Sequence, residues 1–167
     1  MVAVWSFHDL GSKKGKVLIG GAALKITEWT LDEWGWYSEG TLSKVPAADV
    51  PSDVTVQPKV KGAATITEIE AFTVRGPKIT SVSGSGVSGS TSPITITGDF
   101  FSTKKGKVTL ERGGVVKSCK VLSWTMDAGS GESTIQFLVP KKLAAATDYT
   151  LKVSNSVGSA TTTFEVQ

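Results

Sequence analysis

The chain has 167 residues, with 18 Lys/Arg against 15 Asp/Glu, one cysteine and one histidine. The single cysteine excludes an internal disulfide, and the single histidine, His8, excludes a metal centre built on several histidines. Charge is unevenly shared: 8 Lys/Arg and 9 Asp/Glu fall at or before Gly76, and 10 and 6 beyond it, short of the dense basic face of a nucleic-acid binder.

In chain order, Val2–Ser6 alternates as a short strand. Lys13-Lys14-Gly15-Lys16-Val17 follows, then Leu24-Lys25-Ile26-Thr27-Glu28-Trp29-Thr30-Leu31-Asp32, then the aromatic run Trp34-Gly35-Trp36-Tyr37, expected as a loop. Val74-Arg75-Gly76-Pro77 is a short break in which proline restricts itself and its predecessor, which predicts a fixed, elongated pair of modules. Lys78-Ile79-Thr80-Ser81-Val82 alternates as a first strand, residues 83–92 form a flexible Gly/Ser-rich loop, and Pro93-Ile94-Thr95-Ile96-Thr97-Gly98 is a half-buried strand. Further strands are expected over 107–110, 118–124, 133–139, 148–154 and 160–166, with Gly113-Gly114 as a hairpin turn. Residues 141–146 leave room for one helical turn.

The two halves repeat one another. Lys13-Lys14-Gly15-Lys16-Val17 returns as Lys104-Lys105-Gly106-Lys107-Val108, and the Leu24 to Asp32 run returns as Cys119-Lys120-Val121-Leu122-Ser123-Trp124-Thr125-Met126-Asp127. The offset of about 91–95 residues is that of one small domain, dividing the chain into 1–75 and 76–167. About seven short strands in about 90 residues, separated by turn chemistry, describe an antiparallel β-sandwich.

The second half resembles an IPT/TIG domain, an immunoglobulin-like module of the early-set type. The resemblance rests on Pro77-Lys78-Ile79, on Ile94-Thr95-Ile96-Thr97-Gly98-Asp99-Phe100-Phe101, on Gly106-Lys107-Val108 and Val121-Leu122-Ser123-Trp124, and on the close Val153-Ser154-Asn155-Ser156-Val157-Gly158 before Phe164-Glu165-Val166. The first half matches more weakly; Val54 stands at its tyrosine position and Lys59-Val60-Lys61-Gly62 at its close. The resemblance implies an all-β chain of two tandem immunoglobulin-like antiparallel β-sandwiches. It also implies a non-enzymatic spacer, adhesion or protein-interaction segment of an extracellular or cell-surface protein, bacterial by its Ser/Thr/Gly/Ala-rich composition.

The first copy lacks room for its opening strand, because only Met1 to Phe7 precede the part that Lys13 begins. An immunoglobulin-like sheet without that strand leaves unpaired N–H and C=O groups beside an apolar groove. Three readings stay open: the chain is cut from a longer protein, another chain donates the strand, or the module tolerates the loss. No signal peptide is visible, and no apolar run approaches the roughly 20 residues of a membrane span.

No nucleophile–base pair, zinc-protease motif or P-loop occurs, so no catalytic residue, cofactor or metal site is expected. Asp32-Glu33 and Asp127 with Glu132 offer at most weak calcium binding. Trp29 and Trp124, equivalent in the repeat, are expected core anchors, Cys119 a buried strand position, and Tyr149 a tyrosine-corner residue. Trp34, Trp36 and Tyr37 belong to the first copy alone; they either plug the open edge or contact the other module, bind a protein, or stack on a carbohydrate. Lys13, Lys14 and Lys16, with Lys104, Lys105 and Lys107, form two basic loop tips, either solvated or drawn to an acidic polymer or an anionic surface. Nucleic acid is not expected, with Arg75 and Arg112 the only arginines.

Overall fold

The computed structural model describes residues 2–6, 10–33, 35–61 and 63–167. Every regular element among them is a β-strand. The chain forms two compact units, Met1–Val74 and Arg75–Gln167.

Unit 1 contains β1 (Val2–Ser6), β2 (Lys16–Ile19), β3 (Ala22–Asp32), β4 (Gly35–Leu42), β5 (Pro51–Gln57) and β6 (Ile66–Thr73). They make one six-stranded sheet in the order β1-β4-β3-β2-β5-β6. The long β3 explains why there is only one: its first residues pair with β2, and from Leu24 onward it pairs with β4, with a bulge between Ile26 and Glu28. A bulge bends and twists its strand, so β3 serves both layers and the sheet folds over one core. Leu10, Val17, Ile19, Leu24, Trp36, Val54 and Val56 form that core, and Val2, Val4, Trp29 and Phe72 pack partly buried against it.

Unit 2 contains β7 (Lys78–Ser83), β8 (Ile94–Asp99), β9 (Lys107–Arg112), β10 (Val115–Ser118), β11 (Lys120–Met126), β12 (Glu132–Leu138), β13 (Ala146–Ser154) and β14 (Ser159–Val166). They form two four-stranded sheets, β10-β9-β13-β14 and β11-β12-β8-β7. Strand alternation supplies the core: Ile94 and Ile96 from β8, Val108 and Leu110 from β9, Ile135 and Phe137 from β12, and Leu151 and Val153 from β13 all point inward.

Three sequence expectations change here. The strand expected over 118–124 is two: Gly113 and Gly114, at φ 57° and 77°, turn β9 into β10, and the chain crosses to the other sheet at Cys119, whose N–H bonds to the Val108 carbonyl. No helical turn forms in 141–146, where Lys142 adopts φ 62°. The 83–92 segment is not a free loop, because Gly86 accepts from Gln167 N–H and Ser88 N–H donates to the Gln167 carbonyl. The Ser88 hydroxyl also donates to Pro140 O and accepts from Leu143 N–H.

Strand registers give the equivalences between units: β1 with β8, β2 with β9, the unbroken β3 with β10 plus β11, β4 with β12, β5 with β13 and β6 with β14. They also correct the tyrosine position. Val54 pairs with Ile19 as Leu151 pairs with Leu110, so the counterpart of Tyr149 is Ser52. β7 has no counterpart among the described residues of unit 1. In unit 2, β7 pairs with β8 and contacts β14, closing that side together with the Gly86–Ser88 contacts to Gln167. In unit 1, β1 pairs with β4 alone among the described residues.

Candidate functional site

The repeated motif is structural in both units. Trp29 donates its indole N–H to the Gly11 carbonyl at 2.8 Å, and Trp124 donates to Ser102 O at the same distance. The glycine of each Lys-Lys-Gly lies under that ring. A Cβ on Gly15 would stand 2.8 Å from Trp29 Cη2 and 2.3 Å from Gln57 O; on Gly106 it would stand 2.9 Å from Trp124 Cη2 and 2.0 Å from Ser154 O. The second lysine holds the bulge, Lys14 Nζ donating to Ile26 O at 3.2 Å and Lys105 Nζ to Val121 O at 3.0 Å. A bulge leaves carbonyls outside the ladder, which accounts for a cation at this spacing. All six motif lysines are exposed, one group in each unit; Lys13, Lys16, Lys104 and Lys107 make no such bond among the described residues.

The aromatic run is not a loop. Trp36 and Tyr37 lie in β4 and point to opposite faces. Trp36 is fully buried, edge-on to Trp29 with centroids 4.5 Å apart, and therefore offers no stacking surface to a ligand. Its indole N–H has no hydrogen-bond partner among the described residues. Ser38 and Gly40 share its inward face and are small enough to admit two indoles, the Ser38 hydroxyl donating to Glu28 O at 3.1 Å. Trp34 lies outside the described residues, as does His8.

Tyr37 faces outward and meets a residue that the sequence reading passed over, Trp5. Their rings lie 4.4 Å apart and Trp5 is 71% exposed. The alternation of β1 carried the signal, since inward Val2 and Val4 force Trp5 outward. The Tyr37 hydroxyl donates to a Glu39 carboxylate oxygen. That hydrogen bond first, then desolvation and the negative charges of Glu39 and Glu28, push the phenol up to about 12. Glu28 and Glu39 stand directly opposite one another on β3 and β4, and the Thr30 hydroxyl donates to Glu28 at 3.2 Å. Unit 2 carries hydroxyls and amides at these places: Thr97, Thr134 and Thr125 replace Trp5, Tyr37 and Thr30, while Gln136 and Ser123 replace Glu39 and Glu28.

β1, the end strand of the sheet among the described residues, borders this face. Val2 and Val4 are half-buried, whereas their counterparts Ile94 and Ile96 are 0% exposed beneath β7. Phe72 is likewise half-buried where Phe164 is 7% exposed. Unit 1 therefore shows apolar core at the side that unit 2 covers with its own strand.

Titratable groups elsewhere have local duties. Asp127 Oδ1 accepts N–H bonds from Gly129 and Ser130 at 2.9 and 2.7 Å; the Ser130 bonds and then the Gly129 bond hold its carboxyl below the usual range. Among the described residues no group of three or more His, Cys, Asp or Glu is placed to hold a metal ion. Burial pushes the half-buried Cys119 thiol up to about 12. Tyr149 is buried and its hydroxyl donates to Ala144 O at 3.1 Å, the corner contact of an immunoglobulin-like sandwich. With Ser52 in its place, unit 1 has an open depression of about 630 Å³ lined by Gly20, Ser43, Pro46, Val50 and Ser52 among others.

Paired antiparallel layers over one core, a tyrosine corner and a tryptophan anchor define an immunoglobulin-like β-sandwich. Residues 77–166 match the model of the IPT/TIG domain, and the chain belongs to that family. No curated protein and no solved structure matches it. Domains of this family are in general non-enzymatic immunoglobulin-like modules of protein interaction, common in extracellular and surface proteins.

Proposed function

We propose that the chain is a non-enzymatic spacer and protein-interaction segment of an extracellular or cell-surface protein, and that unit 1 engages its partner by strand addition along β1. One observation carries this reading: among the described residues Val2–Trp5 pair with β4 on one side only, beside half-buried Val2, Val4 and Phe72, while unit 2 covers the same edge with β7. An added strand gains ladder hydrogen bonds from the edge and apolar contact from the groove. The test offers the full chain a peptide of sequence 78–88 and follows amide hydrogen exchange at Val2–Ser6. Exchange there slows if the peptide takes the place equivalent to β7. Fast exchange at saturating peptide, or β1 amides already protected in the free chain, overturns the reading.

A second reading is a carbohydrate-binding accessory module. With Trp36 in the core, it rests on the exposed Trp5 ring over Tyr37, a surface on which a sugar ring can stack. Oligosaccharide-induced fluorescence shifts that vanish in Trp5→Ala support it; no shift with any oligosaccharide removes it.

A further inference from the structure

The outer face beside β1 says what kind of strand the edge takes. In unit 2, β7 presents Ile79 and Val82 to the core and Ser81 and Ser83 to solvent. Ser81 stands opposite Thr97, hydroxyl to hydroxyl at 2.6 Å, and Ser83 stands opposite Thr95. Transferred to unit 1 by register, the Ser81 place lies opposite Trp5 and the Ser83 place opposite Ala3.

The row through Ala3 continues to Glu39 and then Glu28. Two carboxylates directly opposite on adjacent strands repel, and neither has an ion-pair partner among the described residues. Lys25, opposite Thr41 on the same strand, pairs with neither. Ala3 is the smallest side chain in that row. With strands about 4.8 Å apart, a long side chain from the added strand passes over Ala3 and reaches Glu39. Its neighbour toward Trp5 lies along an exposed aromatic face, where a cation is favoured.

We infer that the β1 edge of unit 1 is selective for an extended antiparallel protein strand with β-branched apolar residues facing the core and lysine or arginine facing out. This inference rests on strand addition and adds the chemistry of the partner. Unit 2, with hydroxyls and amides in the same rows, has no such preference.

Three peptides of sequence 78–88 test it: the unaltered one, Ser83→Lys and Ser83→Glu, each capped at both ends and titrated onto the full chain, with hydrogen exchange confirming occupancy of Val2–Ser6. The lysine peptide should bind about fivefold to tenfold tighter than the unaltered one, and the glutamate peptide more weakly. The order should flatten in the double variant Glu28→Gln, Glu39→Gln and at high salt. Equal binding of all three peptides on β1 overturns the charge selectivity and leaves strand addition standing. A lysine advantage that persists in the double variant also overturns it. Failure of every peptide to protect β1 overturns strand addition itself.

Discussion

Gly106→Ala isolates the role of the repeated Lys-Lys-Gly motif. The new methyl carbon would lie 2.0 Å from Ser154 O and 2.9 Å from Trp124 Cη2. Neither neighbour yields cheaply. Ser154 is paired with Lys107 at the end of β13, and the Trp124 indole is fixed by its bond to Ser102 O. Overpacking at a site that cannot relax costs about 2–3 kcal/mol. For a unit of this size each kcal/mol lowers Tm by roughly 4–8 °C, so the unit 2 transition should fall by roughly 10–20 °C. Native-state hydrogen exchange at β9 and β13 reads unit 2 specifically. Gly129→Ala is the control: its nearest neighbour is a side-chain oxygen at 3.4 Å, and stability should stay within about 0.5 kcal/mol. If Gly106→Ala proves as stable as Gly129→Ala, the motif glycine is not selected by close packing under the tryptophan, and the account of the motif fails.

Trp36→Ala should destabilise unit 1 by about 3–5 kcal/mol in urea melts, as loss of a buried aromatic does, whereas an exposed ligand-stacking residue would cost almost nothing. Trp36→Phe should cost less than Trp29→Phe, because only Trp29 gives up a satisfied N–H bond. Tyrosinate absorbance should show Tyr37 ionising near 12, moving back toward 10 in Glu39→Gln, while Glu39→Asp retains part of the shift. Cys119 should resist iodoacetamide in the folded chain at pH 9 and react in urea. Its folded pKa is raised by burial from 9.0 to about 12, so the folded form keeps the proton longer. Its contribution to stability is present below about pH 9 and is lost as pH rises toward 12; a Cys119→Ala variant should lack that part of the alkaline loss.

Period-two patterning made the strands of unit 2 legible, since 94–98 and 148–154 alternate cleanly over a deep core. The repeat carried the reading to unit 1, where the strand Val2–Ser6 follows from its alternation. The β4 run Gly35-Trp36-Tyr37-Ser38-Glu39-Gly40 read as a loop because its inward residues after Trp36 are serine and glycine. Those small residues make room for two indoles, a tertiary demand that local pattern does not express. The 83–92 segment misled for a related reason: its glycines permit close approach to the last strand, where Gly86 meets Gln167. Trp5 was legible from the valine alternation around it. The opposition of Glu28 and Glu39 was not, because it depends on the bulge between Ile26 and Glu28 shifting the register by one.

The uninterrupted β3 makes unit 1 a single hydrogen-bonded ladder from β1 to β6 among the described residues, whereas the break at Cys119 leaves unit 2 with two. The layers of unit 1 are thus joined by backbone hydrogen bonds, and those of unit 2 by side-chain packing and connecting loops. The difference lies in whether a single strand crosses between layers whole or in two pieces.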